Sequence, residues 1–305
     1  LKPGDESVIL RDVMYDCPPG SGWCPRAFAI GLPNRHNVLF DLDTMSLRGW
    51  WIGDFARERT EGKTWLWEPA GLPVWNTAES LPAIALRNTN TREVLWPDKD
   101  RQTIARFHSW LSRKHLVSFT YRPRFAGGHS VWTTEIIQPA LGENLVGFDR
   151  VLAVRNVPAG FEPLVVHSGG ATNTATPKEW RLQGPLGETV AESLVGSSWE
   201  KLSDHKLPER KLEVFALLLG AETETQSTVF RTRIRYRSPL EAASREAARQ
   251  PSLSPTTGAS AESNQKPIAL SVAPGFEAVR LPLNSSPMPA AIAFRPDGTA
   301  VVASL

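Results

Sequence analysis

The chain has 305 residues, 41% of them hydrophobic, with 34 Lys and Arg against 32 Asp and Glu and a net charge of +2. So balanced a charge supplies no bulk field for a polyanion, which argues against a nucleic-acid partner. No run of 18 apolar residues occurs, so no segment reads as a membrane-spanning helix. The length suits about two domains, and the apolar fraction supports a real core.

In chain order, the first feature is Asp16-Cys17-Pro18-Pro19-Gly20-Ser21-Gly22-Trp23-Cys24-Pro25, which holds both cysteines of the chain. The Pro/Gly-rich loop favours a Cys17–Cys24 disulfide, with two free thiols as the alternative. A metal site lacks further ligands nearby. Attachment of c-type haem needs Cys-x-x-Cys-His, and here six residues intervene and Pro25 follows Cys24. A bridge would contribute about 2.5 kcal/mol by loop entropy and would place the chain in an oxidising compartment.

Strands are expected over 26–32 and 37–42, around the turn Pro33-Asn34-Arg35-His36, and over 47–52. Further β-branched and aromatic runs bounded by Gly, Pro or Asn lie at 116–122, 131–138, 145–156 and 212–219, with shorter ones at 164–167 and 179–182. Residues 104–111 are ambiguous. Ile104, Phe107 and Leu111 have helical spacing behind Asp100, yet 106–111 also reads as a strand turning through Ser112-Arg113-Lys114-His115. Over 228–237 the chain alternates strictly, with Phe230, Thr232, Ile234 and Tyr236 on one face and Arg231, Arg233, Arg235 and Arg237 on the other. This is the pattern of a half-buried strand.

Residues 239–250 support at most a short helix. Residues 251–267 are rich in Ser, Thr, Pro, Ala and Gly and read as a flexible linker. After them, 290–294 and 299–304 form two apolar strands around Arg295-Pro296-Asp297-Gly298, a turn with a clear mechanism. A lone hairpin is marginal in water, so further strands are expected, and the chain reads as an internal piece of a longer protein. The expected fold is mainly β, an antiparallel β-sandwich over 1–237. A short helix and linker follow over 238–267, and the truncated first strands of a β-propeller over 268–305.

Three places carry a family resemblance. Pro25-Arg26-Ala27-Phe28-Ala29-Ile30-Gly31-Leu32-Pro33, followed by Phe40-Asp41 and Trp50-Trp51-Ile52-Gly53-Asp54-Phe55, resembles a strand pattern of large secreted bacterial haem-binding proteins. Arg106-Phe107-His108-Ser109-Trp110-Leu111, followed by Phe119-Thr120-Tyr121-Arg122, is similar to a hairpin of the same family. Met288-Pro289-Ala290, with Pro296-Asp297-Gly298 and Ala303-Ser304-Leu305, resembles the opening of their dehydrogenase-like propeller. The chain departs from the pattern at Asn34-Arg35-His36, where a Gly-rich turn is expected, and at Ser109, where Gly is usual. The resemblance implies a hairpin over 106–122 and a secreted or periplasmic setting. It also implies partners in adjacent domains of the same chain: a cytochrome with haem c before, and a propeller, with a quinone, after. No cofactor is expected on this chain itself.

Several constellations remain. Trp50, Trp51, Trp65, Trp67 and Trp75 cluster in sequence. Exposed indoles there stack on sugar rings, with Asp54, Glu58 and Glu68 as partners for hydroxyls. That reading makes Trp51, Asp54, Trp65 and Trp67 a candidate ligand site and carbohydrate a candidate partner. The structural alternative puts Trp50 or Trp51 into the core, since adjacent strand residues face opposite ways, and lets Trp65, Trp67 and Trp75 cover a loop. Asp41, Asp43 and Asp54 are the carboxylates for a glycan-processing reaction, which needs a pair roughly 5–9.5 Å apart. Such pairs are common at strand ends, where Asp bonds turn amides, and that is the favoured reading. The six histidines form no metal-binding motif and read as solvated loop residues. The arginine stripe of 231–237 suits an acidic cytochrome surface or haem propionates, or else acids on neighbouring strands, with Glu213, Glu222 and Glu224 as candidates. No nucleophile elbow, phosphate loop or dinucleotide fingerprint is present, so no catalytic residue is assigned.

Overall fold

The structure, a computed structural model, describes residues 4–17, 22–61, 64–77, 81–98, 105–140, 147–169, 174–184, 187–194, 197–202, 213–219, 223–224, 227–237, 289–294 and 300–304. Among these the chain is almost all β, with one 3-10 turn at Ala126–Gly128 and no α-helix. Contacts divide it into two units, Leu1–Pro251 and Ser252–Leu305.

The first unit opens with a closed barrel of β1 (Val8–Tyr15), β2 (Trp23–Gly31), β3 (His36–Asp41), β4 (Ser46–Glu61) and β5 (Thr64–Asn76). Each strand pairs antiparallel with the next. An odd number of strands in a meander leaves the first and last running the same way, so closure is parallel, with Met14 opposite Trp67. The period of two then divides the side chains. Ala27, Ala29, Leu39, Trp51 and Phe55 fill the lumen together with Met14, Cys17 and Cys24. Phe28, Ile30, Val38, Phe40 and Trp50 point outward into a second, larger core. Hence β3 is buried along its whole length, on both faces.

That larger core lies under two further sheets. Their strands are β6 (Ile84–Asn88), β7 (Val94–Leu95), β8 (Ala105–Arg113), β9 (Leu116–Pro123), β10 (Trp132–Pro139), β11 (Gly147–Arg155), β12 (Phe161–Gly169), β13 (Thr174–Ala175), β14 (Glu179–Gly184), β15 (Gly187–Ser193), β16 (Ser197–Leu202), β17 (Glu213–Leu219), β18 (Thr223–Glu224) and β19 (Ser227–Arg237). One sheet runs β13-β14-β15-β19-β11-β10-β9-β8, with β18 beside β19; the other runs β16-β17-β12-β6-β7. Phe119 of β9 meets Phe28 and Phe40 at ring separations of 5.2 and 5.0 Å, which locks barrel to sheet.

The ambiguous stretch before residue 112 is a strand. β8 and β9 form a hairpin with Arg113 opposite Leu116, and Lys114 turns the chain at φ 47°. Inward-facing Phe107 packs on Phe28 at 5.5 Å, a contact available to the extended form; Ile104 lies outside the described residues. The register shifts between Phe107 and Ser109, at the position where the family pattern has Gly. Between β2 and β3, where a Gly-rich turn was expected, Arg35 itself adopts φ 63°. The expected strand 228–237 is β19: Phe230, Thr232 and Ile234 are buried.

In the second unit, β20 (Pro289–Phe294) and β21 (Ala300–Ser304) pair antiparallel, with Phe294 opposite Ala300. The expected helix over 239–250, the linker 251–267, the turn at 295–298 and Phe276 lie outside the described residues.

Candidate functional site

The tryptophans of the candidate sugar site do not share one surface. Both Trp50 and Trp51 are fully buried, one in each core, and Trp75 is buried as well. Trp51 stacks on Phe55 at 6.0 Å, and its Nε1 donates to the carbonyls of Asp54 (3.1 Å) and Phe55 (2.8 Å). It offers no ring face to a ligand. The expectation that only one of the adjacent pair enters the core is corrected for a physical reason: this barrel is buried inside and out. Trp65 is 70% exposed, and Trp67, on the same face of β5, is half-buried against the lumen cluster. Asp54 lies opposite Ala70, three residues along β5 from Trp67, and its carboxylate binds Arg35 at 2.6 Å.

The other carboxylates are similarly engaged. Asp43 pairs with Arg26 at 2.6 Å. Asp41 accepts the Asp43 amide at 2.9 Å and faces Arg48 at 3.3 Å, and Arg48 also binds Asp16 at 2.6 Å. Glu68, buried, receives Arg57 and Arg59, whereas Glu58 is exposed. The expected Cys17–Cys24 bridge is absent: both thiols are free and buried. The register explains why. Cys24 sits opposite Met14, and Cys17 lies three residues further on, past the end of β1 at Tyr15, so the two are not cross-strand partners. Each Sγ instead lies near a carbonyl, Cys17 by Trp50 and Cys24 by Phe40. Burial raises both thiol pKa values, that of Cys24 to about 12.

A buried polar centre was not anticipated. Arg150 of β11 donates Nε to Glu135 of β10 at 2.5 Å, and its Nη1 meets His167 Nε2 of β12 at 3.0 Å. Tyr121 donates to the other Glu135 oxygen at 3.3 Å. His167 packs against Trp180 and Trp199 at 5.5 and 5.2 Å. All four polar residues are buried. Burial raises the Glu135 and Tyr121 pKa values and, helped by the Arg150 charge, lowers that of His167. A neutral His167 can accept the Arg150 N–H. Closed off from water, this centre joins the two sheets rather than meeting a ligand. No clear signal in sequence marks it: Glu135 follows Thr133 and Thr134, and Arg150 stands beside Asp149. His36 is the second buried histidine, with Nδ1 accepting Trp50 Nε1 at 3.1 Å. Both histidines correct the expectation of solvated loops; His205 lies outside the described residues. Among the described residues no group of His, Cys, Asp and Glu could hold a metal ion.

The arginine stripe of β19 finds acids on neighbouring strands; the side chains of Glu213, Glu222 and Glu224 lie outside the described residues. Arg233 grips both oxygens of Asp149 (2.7 and 2.9 Å) on β11. Arg235 pairs with Glu192 of β15, and Arg237 lies 3.8 Å from Glu188.

No family model matches the chain, and no curated protein does. Among solved structures, the heparan sulfate lyase HepC of Pedobacter heparinus and a mutant of it align over 77% of this chain, at 14% and 13% identity and TM-scores of 0.37 and 0.38. The alignment covers 36% of the lyase, so this chain spans about a third of that protein. These values establish neither a shared fold nor a shared chemistry.

Proposed function

We propose that the chain is a non-catalytic β-module, of β-sandwich type, in a secreted or periplasmic redox protein of the haem-binding, dehydrogenase-like class. It holds a cytochrome domain against a propeller, whose first strands are β20 and β21. Haem c and a quinone belong to those neighbouring domains. The family resemblance motivates the reading. The observation that carries it is the use of the reactive side chains: Asp41, Asp43 and Asp54 are held by arginines, and His36 and His167 are buried in packing roles.

The test is the purified chain beside the longer protein that contains it. The chain alone should show no haem Soret band and no dye reduction with sugars, while cross-linking in the longer protein should join it to both neighbours. Turnover of sugar or glycan by the chain alone, lost in Asp54→Asn, would overturn the reading.

One observation favours a second reading, carbohydrate binding: the exposed Trp65 beside Trp67 on β5. Oligosaccharide titration followed by Trp fluorescence should then give a saturable change that Trp65→Ala abolishes. An unchanged response in that variant excludes it.

A further inference from the structure

On β19, Arg233, Arg235 and Arg237 each meet a carboxylate. The β8–β9 hairpin sets two of its arginines against each other. Arg106 lies directly opposite Arg122 across the ladder, and like charges so placed repel. Arg124 follows, bridged to Ser130. Together with His108 and Gly128, these residues line a cleft of about 220 Å³ that no carboxylate lines among the described residues. Arg106 has no ion-pair partner there either.

The groups are also pre-oriented. Arg122 donates Nε and Nη2 to Ser130 Oγ at 2.9 and 2.6 Å, and its Cζ lies 5.5 Å from the centre of the Trp132 ring. The His108 ring packs on the same indole at 4.5 Å. Because Ser130 Oγ accepts from Arg122, its own O–H is left to donate. Gly127 and Gly128, at φ 75° and 77°, turn the chain back so that Ser130 reaches Arg124.

We propose that this cleft binds a tetrahedral oxyanion, a phosphate or sulfate group, between Arg106, Arg122, Arg124 and the Ser130 hydroxyl. Guanidinium forks match such oxygens, and charge-assisted bonds to them are strong. At 220 Å³ the cleft is smaller than the roughly 300–1,000 Å³ sites that enclose drug-sized ligands, so it fits one charged group rather than a whole large ligand. The site is independent of Trp65 and of any role beside a cytochrome.

Calorimetric titration of the purified chain with inorganic phosphate and sodium sulfate in low-chloride buffer tests it. Binding should saturate and should weaken about tenfold or more in Arg106→Gln and in Arg122→Gln, with no change in Arg113→Gln at the hairpin tip. Without anion, Arg106→Gln should keep or raise the melting temperature, since it relieves a like-charge contact; this shows that the variant is folded. A parallel titration with glucose 6-phosphate assigns the source: tighter binding than phosphate points to an ester on a sugar, equal binding to the free anion. Absence of saturation, or binding that Arg106→Gln and Arg122→Gln leave unchanged, would overturn the proposal.

Discussion

Three buried groups make the strongest demands on this protein. His36 accepts the Trp50 N–H through Nδ1 and so must be neutral, and burial lowers its pKa to about 4. A folded-state value below the unfolded one stabilises above pH 6.5 and loses that contribution as pH falls toward 4. Denaturant titrations should therefore show about 3 kcal/mol lost over that window, with His167 adding in the same direction; His36→Gln should flatten the slope. Cys17 and Cys24 lie in the barrel lumen with raised pKa values, so neither presents a thiolate. Ellman's reagent should find no fast thiol in the native chain and two after unfolding without reductant. None after unfolding would mean a disulfide. The Arg150–Glu135 pair is fully buried. Removing one partner strands the other's charge, so Arg150→Met should cost about 3–5 kcal/mol, and adding Glu135→Leu should recover much of it. Equal losses in the single and double variants would mean that the pair's other bonds, to His167 and Tyr121, dominate.

Among the elements, the β4–β5 hairpin brings two backbones close together at a glycine pair. Its register shifts twice, between Trp50 and Trp51 and between Asp54 and Ala56, and between these shifts Gly53 faces Gly71. Gly53 has φ 114°. A Cβ on Gly71 would fall 2.3 Å from the Ile52 carbonyl oxygen and 2.9 Å from the Trp51 ring. Gly71→Ala should thus lower stability by about 1–3 kcal/mol, read by Trp fluorescence in urea, while Gly4→Ala, where nothing lies within 4 Å, should leave it unchanged. The hairpin β8–β9 and the half-buried β19 were legible in sequence, one from the family resemblance and the other from strict alternation. β1 and β5 were not. β1 carries polar residues at Arg11 and Asp12, and β5 carries Pro69, Gly71 and Pro73, which read as breaks until barrel pairing shows each residue's partner.

For the molecule as a whole, the contacts within Leu1–Pro251 form one unit: the barrel wall and both sheets share a core. A chain ending at residue 251 should therefore unfold in a single transition with the midpoint of the 305-residue chain. A lower midpoint would show that Ser252–Leu305 contributes to that fold. The cooperativity expected is high, since Phe28, Phe40 and Trp50 belong at once to the barrel and to the core between it and the sheets.

Composition and period two alone determined that this is a mainly β chain, and which face of β19 is inward, because strand alternation is a property of the backbone itself. They showed that faces are buried, not what buries them. Closure of β1 on β5, the loss of Trp51 to a lumen, the separation of Cys17 from Cys24 and the meeting of Arg150, Glu135 and His167 all depend on register between strands distant in sequence. So does the facing of Arg106 and Arg122 in a cleft completed by Ser130. Such register is set by the simultaneous packing of every sheet, which no local pattern encodes.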